Sequence, residues 1–239
     1  MRKPALPAVL ILLATVAFTL WAWPELPPRI ATHFDLAGRP DGWSPRRFGA
    51  LFLPALGLFL LLVFSVLPRM DPLRRNFPAN APVWWLIATG ILAVLAAIQV
   101  LILGSALGWG LDASAVVGVS VGGLFILLGT QLGRIRPSWF LGIRTPWTLS
   151  SEDVWRRTHR LGGTLFILAG IGILAAGLVR TRAVLFVAIA LGLVAALVPV
   201  AYSWVLWRRE ERARGSAPVE GRAQDGRPES GAASGRPRA

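Results

Sequence analysis

No cysteine occurs in the 239 residues, which rules out disulfides, thiol chemistry and cysteine-ligated metal and leaves the redox compartment unread. Histidine is scarce too, with His33 and His159 the only two. Charged residues make up 15% of the chain, against about a quarter in an ordinary soluble domain. Neither a zincin nor a phosphate-loop spacing is present. With the usual catalytic constellations missing, the chain is expected to be no enzyme and to hold no cofactor or metal.

What is there is mostly apolar: 54% of the residues are hydrophobic. Residues 4–24, 48–68, 76–111, 113–133, 161–179 and 183–207 contain no Asp, Glu, Lys or Arg. The shortest run, 161–179, has 19 residues, enough helix to cross a hydrocarbon core of about 30 Å. The 36-residue run is too short for two spans and a turn. The expected fold class is an all-α polytopic membrane protein with six transmembrane helices.

A net charge of +13 would suggest nucleic acid in a soluble protein. Here its distribution fits the excess of Lys and Arg on the inner face of a membrane, and no direct nucleic-acid binding is expected. With the N-terminus inside, 19 basic residues fall on inner segments and 6 on outer ones; without the tail the ratio is still 11 to 6. An N-in, C-in protein of the plasma membrane is expected. The first helix starts basic but shows no small-residue cleavage site before Pro24, so it reads as an uncleaved anchor.

Three regions follow from this pattern. Residues 1–82 hold a helix pair and an outer loop, 24–47; residues 83–207 hold four helices and an inner loop, 134–160; residues 208–239 read as a disordered cytoplasmic tail with almost nothing to bury. In the outer loop, Ile30, Thr32 and Phe34 alternate as a short extended segment. Leu36-Ala37-Gly38 and Arg39-Pro40-Asp41-Gly42 read as two successive turns. Pro82 suits the first turn of the third helix. Gly118, Gly122, Gly129 and Gly133 would let the fourth helix approach a neighbour closely, most simply within the same bundle. Gln99 and Gln131, amides in the spans, are accounted for by hydrogen bonds between helices.

Residues 139–163 are the densest in polar tips. Pro146 interrupts helix, and Ser150 with Asp153 fits a capping box from which helix restarts. At 100° per residue, Val154, Thr158 and Leu161 share one face, Trp155 and His159 mark a second, and Arg156, Arg157 and Arg160 cover the third. Composition alone suits a juxtamembrane elbow with arginines among lipid phosphates.

Phe140, Gly142-Ile143-Arg144-Thr145-Pro146-Trp147-Thr148, Val154-Trp155, Thr158-His159-Arg160 and Gly162-Gly163 resemble the signature of the Sdp immunity-protein (SdpI) family. Ser138 and Arg134 stand where that signature favours Asn. Ile30, Thr32-His33-Phe34, Ala37-Gly38 and Pro40-Asp41-Gly42-Trp43 are similar to a small domain of unassigned function that often precedes it, with Asp35 in place of Asn. The resemblance implies a bacterial membrane protein that protects its cell from a toxic peptide and holds a transcriptional repressor at the membrane. For such a protein, the structured outer loop is where the peptide is expected to be met, by Thr32, His33, Phe34, Asp35, Gly38, Asp41, Gly42 and Trp43. The repressor that the resemblance implies is expected to be met inside by the charged and aromatic inner loop, at Phe140, Gly142, Arg144, Thr145, Pro146, Trp147, Trp155, Thr158, His159 and Arg160. A small transporter or permease is the alternative, although such proteins usually carry a charge within a span and none is present here.

Overall fold

The computed structural model of the chain describes residues 5–35 and 37–215. Proline placement sets several of its helix starts. Helix α1 (Leu6–Ala22) has Pro7 in its first turn and runs on through a 3₁₀ turn at Trp23–Glu25. Helix α2 spans Arg46–Met70, and a second 3₁₀ turn at Arg74–Asn76 leads into α3, Phe77–Ala106. The first-turn proline of α3 is Pro78 and not Pro82, which lies a turn further in. There its missing N–H leaves the Pro78 carbonyl without its usual partner.

Four helices follow. Helix α4 (Ala113–Leu132) starts on Asp112, whose side chain accepts from the Ala115 N–H. A single helical turn, α5 (Pro146–Ser150), precedes α6 (Glu152–Val179), and α7 covers Arg182–Gly215. Among the described residues six helices are long and apolar enough to cross a membrane. The last of them runs past Arg208, where the tail is expected to start, and continues to Gly215. Arg214 pairs with Glu210 and Glu211 along this extra stretch, and Glu210 accepts from Ser151. Helix-forming WRREERAR is therefore both internally paired and tied to the bundle. The remainder of the expected tail, 216–239, lies outside the described residues.

Between α1 and α2 stands an antiparallel hairpin, β1 (Arg29–Phe34) with β2 (Pro40–Pro45). Asp35 makes its turn: one carboxylate oxygen accepts from the N–H groups of Ala37 and Arg39, and the Asp35 N–H donates to the Arg39 carbonyl. The second turn expected at Arg39–Gly42 is strand instead from Pro40 onward. Pro40 occupies the first position of a strand, where no ladder N–H is needed, and Gly42 sits beside an irregularity of register opposite His33.

Helix α3 packs on α1, α2 and α4, while α6 lies between α4 and α7. The α4–α6 crossing is made by glycines from both helices. A side chain at Gly118 would meet the backbone of Gly177; one at Gly122, that of Gly170; one at Gly129, that of Gly163. The intramolecular reading of the glycine spacing therefore holds for three of the four, while Gly133 faces open space. Gln99, fully buried, donates to Thr19 of α1 and to the Ala50 carbonyl of α2. Each end of the bundle has its own apolar cluster. Ala22, Leu26, Ile30, Ala50, Ile102 and Leu103 lie under the hairpin, and Val83, Trp84, Ile87, Leu132, Leu141 and Trp155 lie at the opposite, loop end.

Candidate functional site

The loop end is assembled from the segment 133–151 and the turn between α2 and α3. Asp71 is buried and accepts from the Ser138 hydroxyl at 2.6 Å, the Trp139 N–H and the Leu73 N–H. Asn76 donates to the Pro137 carbonyl, and Asn80 both donates to the Arg136 carbonyl and accepts from its N–H. The start of the loop is thus clamped by three polar residues that sequence reading passed over. One signal was visible, since Asn80 is an amide at the edge of an apolar run.

Further along, Gly142 has φ +96, and a side chain there would overlap Nε2 of His159. Only glycine meets both demands. The His159 ring stacks on Trp155 with centroids 4.0 Å apart. Nε2 accepts the Ile143 N–H at 2.8 Å while Nδ1 contacts the Trp155 carbonyl at 2.8 Å. An acceptor at Nε2 and a donor at Nδ1 describe a neutral imidazole in one tautomer. Trp155 in turn donates from its indole N–H to the Ile135 carbonyl at 2.7 Å.

Thr145 caps α5, accepting from the Thr148 N–H while the Thr148 hydroxyl accepts from the Thr145 N–H. This is the capping box of the region. The one expected at Ser150 is not formed, because Ser150 closes α5; Ser151 caps α6 alone, with Glu152 and Asp153 in its favourable first turn. Thr145 also reaches Ser203 of α7, and Trp147 lies against Trp207.

The first two expected faces of α6 merge into one inward side, on which Leu161 is only half-buried, while the arginine face stands apart. Val154, Trp155, Thr158 and His159 are buried, and Arg156, Arg157 and Arg160 are exposed. Of the inner candidates, Arg144, Pro146 and Arg160 are exposed, Phe140, Gly142 and Trp147 half-buried, and Thr145, Trp155, Thr158 and His159 buried. Arg144 donates to the Trp139 carbonyl, which holds it across the loop. One terminus of α6 therefore has a wholly internal stack and an external row of arginines.

At the hairpin end, His33 Nδ1 pairs with Asp41. Thr32 and Ser44 bond across the strands at 2.8 Å. Asp35 is committed to the turn, and Gly38 sits at φ +77 against Ser114 of α4. Phe34 and Gly42 are half-buried, and Trp43 is 52% exposed. The eight outer candidates thus share one hairpin, on which Trp43 and the Asp41-paired His33 are exposed. His33 and His159 lie at opposite ends of the bundle.

Six apolar helices, a short hairpin and a polar loop locked by buried hydrogen bonds define a multi-pass helical membrane protein. Residues 134–203 match the model of the SdpI/YfhL protein family. Residues 10–58 match a domain of unknown function, DUF1648. Over 173 residues the chain is 22% identical to "Immunity protein SdpI" of Bacillus subtilis (strain 168), covering 71% of this chain and 84% of that protein. No solved structure matches the chain.

Proposed function

We propose that the chain is a non-enzymatic immunity protein of the plasma membrane that protects its cell from a membrane-active peptide. The observation that carries this reading is the similarity to an immunity protein across most of both chains, with a family match that starts at the locked loop and runs on through α6 into α7. In this reading the hairpin faces outward, N-in and C-in, and meets the peptide where it lies at the bilayer surface.

Charge contributes little to that encounter. Arg29, Arg39, Arg46 and Arg47 outnumber Glu25, Asp35 and Asp41, and Asp35 and Asp41 are already engaged. Packing against Trp43, with Phe34 on the neighbouring strand, carries recognition instead. On the inner side a repressor would meet the exposed row formed by Arg144, Pro146 and Arg160 and the rim of Phe140 and Trp147. The buried His159–Trp155 stack holds that surface in shape.

The test is survival of a peptide-sensitive strain expressing the chain. Trp43→Ala is expected to abolish protection and Arg39→Ala to leave it within about twofold, a change of under 0.5 kcal/mol typical of an exposed side chain, both at unchanged protein level. Protection that survives replacement of 30–43 by a flexible linker would overturn the hairpin mechanism.

A further inference from the structure

A cleft of about 390 Å³ opens at the loop end, within the range of small-molecule sites. Its walls include Arg134 and Arg136 from the loop and Glu152, Asp153 and Arg156 from the start of α6. The two loop arginines are mounted rigidly. Asn80 grips the Arg136 backbone on both sides, Asn76 holds Pro137, and the Arg134 N–H bonds the Gln131 carbonyl. Yet neither guanidinium has a hydrogen-bond or ion-pair partner among the described residues. Asp153 is neutralised by Arg156 and Arg157, which leaves Glu152 as the one uncommitted carboxylate of the wall.

Depth decides what such a pair of cations addresses. Helix α4 has 20 residues, about 30 Å of helix, which matches the hydrocarbon thickness. Asp112 stands just before it, and Arg134 two residues beyond it. Whichever face of the membrane this end occupies, the cleft lies at the level of the lipid phosphates. We propose that it is a phospholipid headgroup site, in which Arg134 and Arg136 take the phosphate of a phosphodiester bearing one negative charge. Guanidinium suits phosphate through paired N–H donors. The Glu152 carboxylate on the same wall disfavours headgroups of higher negative charge and suits one that carries an ammonium, such as ethanolamine.

The experiment uses the full chain in detergent, with lipid retention read by native mass spectrometry after exchange into phosphatidylethanolamine, phosphatidylglycerol or cardiolipin. Wild type should retain phosphatidylethanolamine foremost, and phosphatidylglycerol next, over cardiolipin. R134Q/R136Q should lose retention about tenfold, the equivalent of 1.4 kcal/mol. R134K/R136K should recover part of it, and R182Q at the opposite end should behave as wild type. A circular-dichroism melt of each variant checks that the bundle is intact, and the single variants R134Q and R136Q serve if the double variant is not. Equal retention by wild type and the Gln variants would overturn the site. Preference for cardiolipin would overturn the role given to Glu152. Displacement of lipid by inorganic phosphate at matched concentration would overturn the lipid source in favour of a soluble phosphoester.

Discussion

Gly142 and His159 depend on each other at a distance that admits no extra atom. Gly142→Ala adds a methyl group where the ring nitrogen stands and forces a left-handed φ on alanine, a strain of about 1–3 kcal/mol before any repacking. The variant is expected to melt several degrees lower in detergent. His159→Ala removes the acceptor of the Ile143 N–H and the ring that covers Trp155, and a buried N–H left unpaired costs about 1–3 kcal/mol. A melting temperature equal to wild type for both would mean the stack is dispensable. The sequence motif names these residues but not their relation. Nothing in the spacing of Gly142 and His159 says that a turn brings one against the other, because that closure depends on Asp71 and Asn80, far back in the chain.

Among the elements, the α4–α6 crossing is the most demanding. Gly122 and Gly170 leave each backbone in contact with the other helix, so no side chain separates them. Gly122→Leu must push the helices apart by the width of a side chain, and should lower yield and melting temperature more than Gly123→Leu, whose position faces open space. Comparable melts for the two would refute tight packing here. Six helices were legible because absence of charge over 19 or more residues has few other causes. The second hairpin strand was not, since Pro40 and Gly42 favour turns locally and only pairing with β1 makes them strand. The end of α7 was missed for a related reason: its polar residues bury little, but Ser151 and the Glu–Arg pairs hold them in helix.

For the whole molecule, orientation is the property that matters to function. The arginine asymmetry predicts the hairpin outside and the loop inside. Cysteines introduced at Ala37 and Ser150, both exposed and at opposite ends, test it in a chain with no native thiol. An impermeant maleimide should label the first in intact cells and the second only after lysis. The reverse pattern would invert the topology and place the hairpin in the cytoplasm.

Gln99 bears on how the protein is made. An amide entering lipid alone is costly, and the chain emerges from its N-terminus. Thr19 and the Ala50 carbonyl, the two groups that receive the Gln99 amide, are synthesised before it. Helix α3 therefore enters a bilayer that already holds its acceptors, and the first three helices can be completed as a unit while the ribosome is still translating α4. The glycine groove of α4 has no such forerunner, because the helix that fills it comes later, so it must wait, open to lipid, until α6 is delivered.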